Sequence, residues 1–155
     1  MLDDLYTKDV LRAAAMISRT GRLDNAQASA SRVSPVCGSR ITIDLCMADG
    51  VIGDYAQDIH ACALGQAAAS IVASQIVGQR PKDIAQAARQ MRAMLQADGP
   101  PPSGDWAGLA VLENVRDHKA RHGAVLLALE AVLDAATQIT GTPYDQTADQ
   151  LTRRS

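Results

Sequence analysis

The sequence predicts an α+β domain: a small antiparallel sheet of about three strands, with several helices packed on one of its faces. Three observations carry this expectation. Arg40-Ile41-Thr42-Ile43-Asp44-Leu45-Cys46-Met47 alternates apolar and polar residues, and Asp49-Gly50 then turns the chain into a second strand-like run, Val51-Ile52-Gly53-Asp54-Tyr55. Helical patterns lie before this hairpin and fill the chain after it, an order that belongs to helices layered on an antiparallel sheet. Much of the 47% hydrophobic content is alanine and none of it is Phe, so the core has to be built from Leu, Ile, Val and Met between closely approaching helices.

Residues 4–20 read as the first helix, with Leu5, Leu11 and Ile17 among charged positions and Gly21 as its stop. Residues 26–34 read as a short edge strand. In the strand 40–48, Ile41, Ile43, Leu45 and Met47 share one face, and Thr42, Asp44 and Cys46 share the other. The second hairpin strand covers about 51–59. A helix follows over 62–77, closed by Gly78, and Pro81 opens the next, to about 97. The run Asp98-Gly99-Pro100-Pro101-Pro102-Ser103-Gly104 is a loop. A short helix spans Trp106–Val115. A long one runs from His118 to about Gln138, with Val125, Leu126, Leu129, Val132 and Leu133 as its buried stripe. Together these give a single domain over 1–140 and a polar C-terminal tail, 141–155, expected to fray.

Composition narrows the function. At 155 residues the chain can bury a real core. A net charge of −2 leaves no basic surface for nucleic acid. No apolar run reaches the length expected of a membrane span, and Met1-Leu2-Asp3-Asp4 lacks the basic start of a secretory signal. Three cysteines, an odd number, argue against a disulfide framework and for a reducing, cytoplasmic location.

Two of those cysteines carry the functional signal. Cys37 sits between Pro35 and Gly38 in a tight loop before the hairpin, and Cys62 opens a helix just after it. A hairpin folds its outer ends together, so the two thiols can meet, and paired thiols point to soft-metal or sulfur chemistry. For Cys37 a second reading stands beside this one, since free cysteine is often just a small buried hydrophobe. At Cys62 the free amide hydrogens and dipole of a helix start favour a thiolate. Cys46, alone in mid-strand, reads as structural or incidental. The histidines are His60, His118 and His122; His60 and His122 lie where extra ligands for a cysteine pair would be needed. Arg116-Asp117 and Lys119 to Arg121 read as a solvated helix face.

In order along the chain, Leu5-Tyr6, Arg22-Leu23-Asp24-Asn25-Ala26, Ser34-Pro35-Val36-Cys37-Gly38, the Asp49-Gly50 turn, Ala61-Cys62 with its small-residue helix through Ser70, and Val77-Gly78-Gln79-Arg80-Pro81 resemble the U-type iron–sulfur scaffold family, the group of IscU, SufU and N-terminal NifU. The resemblance covers roughly residues 3–137, and the insertion 98–114 with Trp106 is similar to the SufU branch. Two departures stand out. The family's aspartate after Cys-Gly is Ser39 here, and the third family cysteine, in an Ala-Arg-x-x-Cys segment, falls on Ala124.

The resemblance implies an iron–sulfur cluster assembly scaffold or sulfur acceptor without turnover chemistry of its own. Cys37 and Cys62 would bind iron, zinc or a [2Fe–2S] cluster, with His122 and Ser39, or His60, as substitute ligands. A cysteine desulfurase would supply sulfur, recipient apo-proteins would take the product, and the chain would act as a monomer or as a homodimer pooling two cysteines from each subunit. The missing third thiolate motivates an alternative: a scaffold-fold module that binds assembly partners but holds no stable cluster. A cysteine enzyme, with His60 or His122 as base, would be a third reading, but no nucleophile motif supports it.

Overall fold

The computed structural model describes residues 5–147. Its elements run α1 (Lys8–Ala15), β1 (Ala28–Ser34), β2 (Ser39–Ala48), β3 (Val51–His60), α2 (Ala63–Gln75), α3 (Pro81–Gln96), a 3₁₀ helix (Gly104–Asp117), a 3₁₀ turn (Lys119–Arg121) and α4 (His122–Thr140). The three strands form one antiparallel sheet in the order β1-β2-β3, so the fold is α+β.

The sheet follows from local signals. Asp49 and Gly50 both take positive φ, 55° and 80°, the two-residue turn whose twist matches its flanking strands. Between Cys46 and Met47 the register slips, with Cys46 opposite Asp54 and Met47 opposite Ile52, so Gly53 is passed over in a bulge. Alternation then sorts the faces. Ala28, Ala30, Ile41, Ile43, Leu45 and Tyr55 point inward and are buried. Over that face lies α4, against β1 and β2, with α2 and α3 packed around it. The expected stripe of α4, Val125, Leu126, Leu129, Val132 and Leu133, is buried throughout. Lys119–Thr140, at 22 residues, is apolar and long enough to cross a membrane by length and composition, which the sequence reading did not anticipate. Here that stretch is the central core helix, wrapped by the sheet and by its neighbours.

The first helix is shorter than the pattern suggests. Thr7 caps it, its Oγ1 accepting from Val10 N at 3.2 Å, but it stops at Ala15. The chain then runs along the edge of β3. Gln57 N donates to Arg19 O (2.9 Å), Gly21 N donates to Gln57 O (2.8 Å), and the buried Gln57 amide donates to Ser18 O (3.1 Å). Pairing with the strand edge outweighs the helical pattern of residues 17–20. Beyond it, Arg22 and Leu23 cover the outer sheet face by closing on Asp44 (Arg22 Nε–Oδ2 2.7 Å, Arg22 Nη2–Oδ1 2.9 Å, Leu23 N–Oδ2 2.9 Å), and Ser29 Oγ adds a fourth bond at 2.5 Å.

The remaining departures are at element ends. Trp106–Val115 lies inside a 3₁₀ helix. The last helix starts at His122, after a 3₁₀ turn, and ends at Gly141, whose φ of 74° lets its N–H reach Thr137 O. Of the tail expected to fray, the described residues 141–147 fold back: Arg89 Nη1 donates to Asp145 O at 2.9 Å, and Tyr144 packs on the core. The rest of that tail lies outside the described residues.

Candidate functional site

Cys37 belongs to a four-residue turn joining β1 to β2. Gly38, at φ 74°, sends its N–H back to Ser34 O at 2.8 Å and closes the turn, a conformation that suits a residue without Cβ. Ser34 and Ser39 are the last paired residues of the two strands, both buried and on the inward face. Cys37 Sγ lies 3.5 Å from Ser34 Oγ and 3.2 Å from Ser39 Oγ. The turn therefore folds the thiol back to the helix side of the sheet. As a thiol it donates to these hydroxyls; as a thiolate it accepts from them.

That environment favours the thiolate. Burial, the largest single influence, would raise the Cys37 pKa. Hydrogen bonds from the Ser34 and Ser39 hydroxyls and the Ser39 backbone N–H, joined by the positive charge of Arg121, outweigh it, and the pKa falls below the ordinary thiol value.

Cys62 stands at the N-cap of α2 with no side chain bonded to the helix's free amides. It shares an end of the sheet with Cys37, because Arg40 of β2 pairs with His60 of β3 and both cysteines lie just beyond that pair. The first turn of α4 enters the same end. A Cβ on Gly123 would collide with Ser34 Oγ, and one on Gly65 would lie 2.7 Å from Ala61 Cβ and 3.3 Å from Ala124 O. Glycine at both positions lets α4 approach the Cys37 turn on one side and the start of α2 on the other.

The other expected residues fare differently. Ser39 is in the site, through its bond to Cys37. Ala124, where the third family cysteine falls, is buried and presents only a methyl group. His122 needs revision. Its Nε2 lies 3.0 Å from both Val115 O and Arg116 O, so the ring ties α4 to the end of the 3₁₀ helix, and that nitrogen is not free for a metal. His60 alternates to the outer face, with Nε2 3.3 Å from Asp58 Oδ1, both exposed. Cys46 Sγ lies 3.4 Å from Asn25 O, on the outer sheet face. Among the described residues no three His, Cys, Asp or Glu side chains gather in a metal-holding group. A cavity of about 440 Å³ between α3, α4 and the folded-back tail, walled by Arg32, Arg92, Glu130 and Tyr144, includes neither cysteine.

Sequence reasoning missed two contributors. Ser34 enters the sequence reading only within a motif, though its mirror position to Ser39 across a four-residue turn is visible in the spacing. Arg121 reads from sequence as part of a solvated face, and no local signal puts its charge beside Cys37.

Fold and site thus define a small α+β domain that brings two free cysteines to one end of its sheet. The family described as NifU-like N terminal domain matches residues 5–123, and the chain belongs to it. The N-terminal region of a nitrogen-fixing NifU-like protein from Brucella abortus, known from a crystal structure, is 40% identical, covering 91% of this chain and 98% of that one, with a TM-score of 0.88. The iron–sulfur cluster assembly scaffold protein IscU of Thermotoga maritima is 24% identical over 136 residues, 88% of this chain and 95% of that protein. A putative iron–sulfur cluster assembly scaffold of the SUF system from Fervidobacterium islandicum shares the fold, with a TM-score of 0.74 at 19% identity over 84% of this chain and 96% of its own.

Proposed function

We propose that this chain serves iron–sulfur cluster assembly in the cytoplasm as a scaffold-type sulfur acceptor, a carrier and not an enzyme. The observation that carries the reading is the Cys37 turn: a thiol held by two serine hydroxyls and a backbone N–H, under a guanidinium charge, at the sheet end that also bears Cys62. A thiolate so stabilised is the form that attacks sulfur. The Cys37 thiolate would take the outer sulfur of a persulfide on a cysteine desulfurase. The donor's S–S bond breaks, its inner sulfur leaves as thiolate, and Cys37 carries the persulfide. Iron would then meet that sulfur at Cys37 and Cys62, with the Ser39 hydroxyl as the nearest further oxygen, before passing to recipient apo-proteins. Zinc or a [2Fe–2S] cluster is the cargo this site would hold, and two thiolates where the family has three would hold it loosely.

One observation favours a second reading. With no group of three His, Cys, Asp or Glu side chains among the described residues, the domain can act as a partner-binding module that retains no cluster. One preparation separates the two. Protein purified without oxygen is analysed for iron and zinc, then incubated with a cysteine desulfurase and cysteine, and its intact mass is measured. Gain of one sulfur atom in Cys62→Ser, which keeps Cys37 as the acceptor, but not in Cys37→Ser, supports the acceptor. No added sulfur and no metal in any variant leaves the partner-binding module.

A further inference from the structure

Sulfur delivered as a persulfide is sulfane sulfur, and a cluster needs it as sulfide, two electrons more reduced. The residues around Cys37 decide where those electrons can come from. Ser34 and Ser39 are hydroxyls, Ala124 is a methyl group, and Nε2 of His122 is bound to two carbonyl oxygens. Cys46 is on the outer sheet face, against Asn25 O. The remaining thiol is Cys62, at the same end of the sheet, two residues beyond His60, which pairs with Arg40.

Resting on the acceptor reading, we propose that Cys37 and Cys62 form a dithiol relay that reduces the sulfur it accepts. The Cys62 thiolate attacks the inner sulfur of the Cys37 persulfide. The new bond is Cys37–S–S–Cys62, the bond broken is that between inner and outer sulfur, and the outer sulfur leaves with the electron pair as hydrosulfide. The two thiols are oxidised to one disulfide and the sulfane sulfur is reduced to sulfide, so atoms and electrons balance within the chain. An external dithiol reductant restores the pair for the next cycle.

This assigns a role to a site with two thiols. A third thiolate would help to retain metal, whereas two suffice to turn one sulfane into one sulfide and then stop. The relay also makes sulfide beside the cysteines that would receive iron.

The test uses the full chain, reduced, freed of reductant and kept without oxygen. It is treated with one equivalent of glutathione persulfide, a probe that needs no partner protein. Sulfide is measured colorimetrically, and intact mass and peptide maps locate the sulfur. The wild type is expected to lose two hydrogens, join Cys37 to Cys62 and release one equivalent of sulfide. Cys62→Ser should keep the extra sulfur on Cys37 and lose the release, and Cys62→Ala should match it, with thermal transitions confirming that both fold. Cys46→Ser should behave as wild type. Stable persulfide on wild-type Cys37, as in Cys62→Ser, would overturn the relay while leaving the acceptor reading intact. Loss of release in Cys46→Ser would overturn it by naming another resolving thiol. Failure of every variant to take up sulfur at Cys37 would overturn the acceptor reading itself.

Discussion

The Asp44 carboxylate offers the most quantitative test of how the outer sheet face is held. It is buried in the middle of β2, yet accepts four hydrogen bonds, two from Arg22, one from Leu23 N and one from Ser29 Oγ. The Arg22 bonds lead the effect; burial opposes them, and the remaining donors tip the balance, so the pKa falls from 3.8 to about 2. At about 1.4 kcal/mol per pH unit, this carboxylate contributes about 2 kcal/mol to stability. Because the folded pKa is depressed, that contribution is complete above the unfolded value and is lost as pH falls from about 5 towards 2.

Asp44→Asn removes the charge and turns an amide donor towards Arg22. At neutral pH it should cost about 2–3 kcal/mol, a drop of roughly 4–9 °C in Tm for a chain of this size. Urea unfolding of both proteins across the acid range is the assay. The difference between them should shrink steadily as pH falls towards 2, because the wild type loses what the variant never had. A difference that stays constant with pH, or is near zero at neutral pH, would refute the reasoning. Cys37 lies on the opposite face, so its alkylation rate should be the same in both, which makes the variant a control for folding without loss of the site.

Further outcomes follow from the same geometry. Ser39→Ala removes one hydroxyl from Cys37, so its thiolate should form at higher pH; the midpoint of the iodoacetamide rate against pH should move up, and an unmoved midpoint would deny the hydrogen bond its role. His122→Ala strips the partner from Val115 O and Arg116 O and should cost about 1–3 kcal/mol in denaturant unfolding, while zinc retained after anaerobic purification stays unchanged; a selective loss of zinc would restore His122 as a ligand. Ala124→Cys supplies a third thiol on the first turn of α4 and should raise retained zinc to a level the wild type does not reach, measured by elemental analysis before and after chelator; equal zinc in both would show that this position does not face the pair.

Where the sequence was legible, the determining interactions were short in range. The Asp49-Gly50 turn, Pro81 at the head of α3, and the alternation of Ile41, Ile43 and Leu45 each act within a few residues, and the structure keeps all of them. Residues 17–20 misled because their partner is β3, some forty positions on, and the backbone bonds to Gln57 outweigh any helical preference. Asp44 is settled at the same range: its place on the outward face of β2 was legible, but the partner that closes over it, Arg22, lies twenty-two positions earlier.

The site divides along the same line. Pro35, Gly38 and the two flanking serines set the Cys37 turn by themselves, so that thiol could be singled out from spacing. What tunes it arrives with α4, more than eighty residues later: Arg121 brings charge, Gly123 brings the helix against Ser34, Ala124 offers only a methyl group, and His122 is held by the 3₁₀ helix. The first turn of α4 therefore bears on what the Cys37 and Cys62 segments can do. With a thiol at position 124 the same frame would gain a third soft donor for retaining metal. With alanine there, and no group of three His, Cys, Asp or Glu side chains among the described residues, a sulfur acceptor built on this frame would work with its two thiols alone.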